Sequence, residues 1–426
     1  MNPDARRFKT LLAGMFREAL GRLDLNGRMA SEVSGLFGQY RDIRVVALGK
    51  AAAEMAASFD ALIGPGRSTG IVATTTPAAS PRPNFRYFVG GHPYPNAQSF
   101  QAAGAALDLL EGAGEDCSVV FLISGGGSAA LEKPLFDDIS LDDAAEFHRA
   151  LVTVGANIYE MNVLRKHFSA VKGGRLAVAA CPARQVTFYV SDVPPGRPST
   201  IASGPTMPDE STAAECDEIV ARYGLLRKFP SSYRVHFERS SIPETPKPGD
   251  PRFANSRYVA LLSNQDGVDA LLDLARARGW AADADISPDD WPMERAAEHL
   301  LGRLRAMPVL PERPACLISG GELSCPVTGD GVGGRNQAFV LYCAMKIAGE
   351  KIAVLSGGTD GVDGNSPAAG AVADGSTVER ARAAGLDPRR FYERSDSHSF
   401  FSSLEDTIVT GPTGNNVRDL RILLAF

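Results

Sequence analysis

The chain has 426 residues, of which 44% are hydrophobic and 22% charged, and its formal net charge is −6. That length exceeds one ordinary core and predicts two domains, while the composition excludes extensive disorder. The mild acidity excludes a general attraction to nucleic acid or anionic lipid, so any anion site has to be built locally.

In chain order, helical periodicity over 6–20 precedes a strand at 44–48, a helix at 51–62, a strand at 70–74, a helix at 99–110 and a strand at 118–123. Helical pattern resumes over 141–159 and 162–180, followed by a strand at 186–190. Strands alternating with helices in this way predict βαβ units and a parallel sheet, hence a Rossmann-like amino-terminal α/β domain over residues 1–239. The segment Ser240 to Pro251 carries four prolines and little to bury, and reads as a linker. A second α/β domain is predicted over 252–426, with strands at 258–262, 315–318, 323–327, 351–355 and 407–409 and helices at 267–278, 291–306, 336–348 and 376–384.

Three strand-like runs end in the same letters: Ser124-Gly125-Gly126, Ser319-Gly320-Gly321 and Ser356-Gly357-Gly358. In an open α/β sheet the ligand lies outside the carboxyl ends of the strands, where glycines expose backbone N–H groups to an anion. The first run continues as Gly127-Ser128 at a strand-to-helix handover, and all five residues, Ser124 to Ser128, are candidates to cradle phosphate. Two further strands end in charge, at Gly49-Lys50 and Ser191-Asp192. Lys50 offers a point charge on a flexible stem, and Asp192 a carboxylate held just past a strand, as a general base requires.

The run Gly329 to Gly334 matches G-x-G-x-x-G letter for letter, but the preceding segment 323–327 is short and contains a proline, unlike the central strand of a dinucleotide fold. Arg335 after it sets a guanidinium at a helix start, which suits phosphate. Asp360 and Asp363, set among three glycines in 358–364, supply hard oxygens of the kind Mg²⁺ takes. The basic cluster Arg165-Lys166-His167 reads as a solvated helix face. The six cysteines and six histidines show neither zinc spacing nor a Ser-His-Asp arrangement. The amino terminus lacks the apolar region of a signal peptide, and no stretch approaches the roughly 18 apolar residues of a membrane span. A cytoplasmic protein is expected, with a small-molecule substrate, no nucleic-acid or membrane partner, and room for a homodimer.

Taken together, 47–52, 123–129, 162–176, 201–206, 333–337, 356–364 and 410–417 resemble the glycerate 2-kinase family, whose carboxyl-terminal module is the MOFRL domain (about 313–424 here) and whose members are often named hydroxypyruvate reductase. The resemblance covers nearly the whole chain. It implies ATP, Mg²⁺ and transfer of the γ-phosphoryl group to the 2-hydroxyl of D-glycerate, giving 2-phosphoglycerate. It also implies that Lys50, Asp192 and Arg335 are catalytic, that Ser124 to Ser128, Gly333, Gly334 and Asp360 surround the nucleotide, and that Asp360 and Asp363 hold the metal. In these roles Asp192 accepts the hydroxyl proton, Lys50 orients the substrate and Arg335 compensates transferred charge. The chain departs from the family pattern at Pro195 to Pro198, where glycine and acids are usual, and at Asn96, where Asp is common. These departures widen the acceptor to a related small hydroxy acid. The alternative reading is a nicotinamide-dependent hydroxypyruvate reductase.

Overall fold

The computed structural model describes residues 3–193, 197–309 and 313–426, with side chains from residue 7 onward. The chain forms two compact units, Leu25–Leu261 and Met1–Asp24 with Leu262–Phe426. This division differs from the expected one at both ends. The opening helix belongs with the carboxyl-terminal unit, and the proline-rich segment lies inside the amino-terminal unit instead of joining two domains. There Thr245 is buried and donates to Asp209 at 2.9 Å, so local polar pairing fixes a stretch whose composition suggested a linker.

The amino-terminal unit is built on a six-stranded sheet: β1 (Asp42–Leu48), β2 (Thr69–Thr74), β3 (Phe85–Val89), β4 (Cys117–Ile123), β5 (Arg184–Val190) and β6 (Ser256–Leu262), in the order β3-β2-β1-β4-β5-β6. Strands β1 to β5 pair in parallel. All seven residues of β4 are buried, as expected of a strand covered on both faces. The helix Ala97–Leu110 turns Ala102, Ala103 and Ala106 toward this core, small residues that allow close approach to the sheet. Its start is fixed by a capping box in which the Asn96 side chain accepts from Ser99 N at 2.9 Å and Asn96 N donates to Ser99 Oγ at 3.1 Å, while the Asn96 amide also donates to Val89 O at 3.1 Å. A satellite aromatic cluster, with Phe147 stacked on Tyr233 at 4.1 Å and flanked by Phe168 and Phe229, holds the helices Leu141–Thr153, Ile158–His167 and Ser231–Glu238 together.

The carboxyl-terminal unit carries a mixed sheet of β7 (Ala281–Ala284), β8 (Ala315–Gly320), β9 (Ile352–Gly358), β10 (Gly370–Asp374), β11 (Thr407–Ile408) and β12 (Asp419–Ala425), in the order β11-β10-β9-β12-β8-β7. The wholly buried β12 runs antiparallel between β8 and β9. The strand expected at 323–327 is absent: only Ser324 makes an isolated bridge, to Pro292. The helix Pro3–Arg22 supplies Leu12, Met15 and Phe16 to this unit, all fully buried, and its Lys9 pairs with Asp406 at 2.7 Å. No helix among the described residues is long and apolar enough to cross a membrane.

Candidate active site

The strand order of the first sheet reverses between β1 and β4, so their carboxyl ends flank the crevice where doubly wound sheets bind ligands. The two turns leaving them are tied to each other. Lys50 N donates to Gly125 O at 2.8 Å, Ser124 N to Leu48 O at 3.0 Å, and Ala51 N to Ser124 Oγ at 3.0 Å. Glycine is required here for close approach: a Cβ at Gly125 would lie 1.8 Å from Asp192 Oδ2, and one at Gly126 would lie 3.1 Å from Lys50 Cγ. Lys50, the glycine turn and Asp192 are therefore one constellation, with the Lys50 side chain exposed at its rim.

The turn differs from its expected form in two respects. The helix after it, Gly127–Ala130, is a single turn, so the N–H groups of the loop carry the anion-binding capacity and a helix dipole adds little. Its serines are scaffold. Ser124 is buried beneath the β1 turn, and Ser128 Oγ bonds Ser203 Oγ at 3.0 Å, which in turn donates to Asn162 Oδ1 at 2.9 Å. Ala202 and Ser203 both hold positive φ, 49° and 61°, a strained run of the kind that collects at functional loops.

The cluster Arg165-Lys166-His167 is buried, not solvated. Lys166 pairs with Asp209 at 2.9 Å and His167 Nδ1 meets Val163 O at 2.8 Å, while Arg165 has its Nε buried without a partner. Beside it, Glu132 and Lys172 pair at 2.7 Å, with His148 at 3.6 Å from Glu132. Burial raises the Glu132 carboxyl, but Lys172 and His148 outweigh it and hold the pKa at about 2. Partial burial, together with the charges of Lys50 and Arg165, pushes the His92 imidazole below its ordinary value.

Arg335 belongs to the carboxyl-terminal unit, at the first position of the helix Arg335–Lys346. It clamps Asp419 through Nε at 2.6 Å and Nη2 at 3.1 Å and meets Glu322 at 2.9 Å. Burial opposes its charge, but those carboxylates outweigh burial and raise its pKa above the usual arginine value. The fully buried Arg421 lies on the other side of Asp419 at 3.4 Å and donates to the carbonyls of Gly320 and Gly321. Asp360 is close by: a Cβ at Gly358 would stand 3.1 Å from Asp360 Oδ1 and 3.6 Å from Asp419 Oδ1. Sequence reasoning missed Asp419, Glu322 and Arg421. The signal available was an alternation of charge, Asp419 and Arg421, in an otherwise apolar run.

Asp363 does not fit its expected role as a metal ligand. Only 2% exposed, it accepts from Asn336 N and Gln337 N at 3.0 and 2.8 Å and from both side-chain amides of those residues. Its carboxylate thereby occupies the N-terminus of the helix that follows the G-x-G-x-x-G run. Cβ atoms at Gly333 and Gly334 would meet Ser397 Oγ and Asp363 Oδ1, each at 2.3 Å, so the packing of the protein itself requires glycine at both positions. Burial raises the Asp363 pKa to about 6 despite the four donors. Asp360 keeps the hard oxygen that Mg²⁺ would take, its Oδ1 accepting only from Val362 N at 3.1 Å among the hydrogen bonds of the described residues. Of the departures from the family pattern, Asn96 is explained by its capping box. Arg197 lies over the Tyr159 ring at 6.0 Å, and Pro195 and Gly196 fall outside the described residues.

Residues 11–238 match the DUF4147 family, described as a domain of unknown function, and residues 315–419 match the MOFRL family. A protein of Agrobacterium vitis, provisionally named hydroxypyruvate reductase, is 40% identical over 89% of this chain and 86% of its own length. The D-glycerate 2-kinase of Thermotoga maritima is 35% identical over 89% of each. A crystal structure of glycerate kinase from Thermotoga maritima superposes with a TM-score of 0.87 at 32% identity, covering 99% of this chain and 100% of that one. A constellation of Lys50, Asp192 and a glycine turn in one unit, the Arg335–Asp419 clamp in the other, and these likenesses along nearly the full length lead to one assignment: the chain belongs to the glycerate kinase family, in which a DUF4147 domain is joined to a MOFRL domain.

Proposed function

We propose that this protein is an ATP-dependent kinase that phosphorylates the 2-hydroxyl of D-glycerate, or of a closely related small hydroxy acid. The observation that carries this reading is the placement of Asp192 against Gly125, with Lys50 beside Gly126, at the reversal point of the sheet. A carboxylate and an ammonium packed against one N–H-rich turn provide what transfer to an alcohol needs: a base for the hydroxyl proton and positive charge for the anionic groups. In this reading Asp192 takes the proton, Lys50 orients the acid, the backbone N–H groups of 125–128 meet phosphate, and Arg335 compensates transferred charge. Asp360 would hold Mg²⁺, which when bound supplies charge neutralisation on the phosphates. One or two carboxylates suffice for that ion beside a nucleotide. A kinase of this kind works where ATP is plentiful, so we place it in the cytoplasm.

The reductase reading meets a specific obstacle. The dinucleotide-like glycine run leads to a helix N-terminus where Asp363 already takes the N–H groups of Asn336 and Gln337, so a carboxylate stands where a pyrophosphate would sit. Purified protein should release ADP when given D-glycerate, ATP and Mg²⁺, and should leave NADH and NADPH unoxidised with hydroxypyruvate. Nicotinamide oxidation without ADP release would overturn the kinase reading.

A further inference from the structure

Arg165 is the buried cation that the reading above does not use. It is 8% exposed, its Nε has no hydrogen-bond partner, and it forms no ion pair among the described residues. The carboxylate whose charge acts on it, Glu132, is already engaged by Lys172 at 2.7 Å and by His148 at 3.6 Å. Burial pushes the Arg165 guanidinium down and Glu132 offsets only part of this, and Glu132 is the one carboxylate set against the two cations Lys172 and Arg165 in this cluster. A guanidinium out of water without a counter-ion is costly and is found where an anion completes it.

The surroundings indicate which anion. Asn162, one helical turn before Arg165, is joined through Ser203 to Ser128 of the glycine turn. The charges of Arg165 and Lys50 also both act on the His92 imidazole. The titratable groups whose charges couple to Arg165 are Glu132, His148, Lys172 and His92. A nucleotide's phosphates, which carry several charges and bring a metal, suit the several N–H groups of the glycine turn. One buried fork with one unmet charge suits a small monoanion.

We propose that Arg165 is the anchor for the acceptor's carboxylate, selecting a 2-hydroxy acid over a neutral polyol and leaving its hydroxyl for Asp192. This rests on the kinase reading for the identity of the acceptor, but its test does not depend on turnover. Calorimetric titration of the nucleotide-free protein with D-glycerate and with glycerol, which keeps the hydroxyls and lacks the carboxylate, should show binding of the acid alone. Arg165→Gln should weaken D-glycerate about 100-fold, Arg165→Lys less, and both should leave ATP·Mg²⁺ affinity within about threefold. Equal binding of glycerol and D-glycerate by the unaltered protein overturns the proposal even if Arg165→Gln fails to fold. Undiminished D-glycerate binding in a folded Arg165→Gln protein also overturns it, as does loss of ATP affinity instead, which would assign Arg165 to phosphate. Arg165-dependent binding of D-glycerate without ADP release would sustain the anchor while sinking the kinase reading.

Discussion

The side chain that glycine lacks decides the geometry around Asp192. Gly125→Ala would place a methyl group within the Asp192 carboxylate, so the base has to move, and turnover should fall by at least about tenfold with the circular dichroism spectrum unchanged. Asp192→Asn keeps the shape and removes the base, and kcat should drop by about 10² to 10⁴ at little cost in melting temperature. Near-normal rates in both variants would strip Asp192 of its role. Arg335→Ala should lower kcat by a comparable order. It also leaves Asp419 facing Arg421 alone, so its effect should be checked against Arg335→Lys, which retains charge but not the two-pronged clamp. If Arg335→Lys and Arg335→Ala both match the unaltered enzyme, the charge compensation lies elsewhere.

Elements that were plain in the sequence are those with an unbroken run of buried, mostly apolar residues. Strands β1, β4 and β5 read as apolar runs because both faces are covered, and the structure moves their ends by only one or two residues. Strand β12 escaped notice because Asp419 and Arg421 interrupt its apolar letters, and their pairing with each other and with Arg335 is invisible along the chain. Strand β10, Gly-Ala-Val-Ala-Asp, is too small-sided to announce itself. The three Ser-Gly-Gly turns looked alike and are not. Gly125 makes room for Asp192, whereas the space beside Gly357 is filled by the Phe16 ring and that beside Gly320 by Asn264. The burial of 165–167 was likewise hidden, since Lys166 finds Asp209 43 residues away. The Glu132–Lys172 pair is open to test at this scale. Because the folded pKa of Glu132 lies below the unfolded value of 4.5, its stabilising contribution is complete above that pH and is lost as the pH falls toward about 2. Glu132→Gln should remove about 3–5 kcal/mol at neutral pH, by leaving Lys172 uncompensated, and should flatten the acid limb of the stability curve measured by urea unfolding.

Over the whole molecule the chain passes from one unit to the other at 24–25 and returns at 261–262. Phe16→Ala should therefore destabilise the carboxyl-terminal unit by about 3–5 kcal/mol, even though the substitution lies in the first tenth of the sequence, and hydrogen exchange should locate the loss in β9 and β10. Exchange that instead quickened within β1 to β5 would contradict the division into units. During synthesis the helix Pro3–Arg22 leaves the ribosome before residues 25–261 and long before the sheet that shelters Leu12, Met15 and Phe16. For that interval its greasy side has no native home, and at ordinary translation speeds of about 5–20 residues per second the wait lasts many seconds. A nascent chain stalled after residue 261 should accordingly recruit holdase chaperones through its first two dozen residues, and extension to the end should release them.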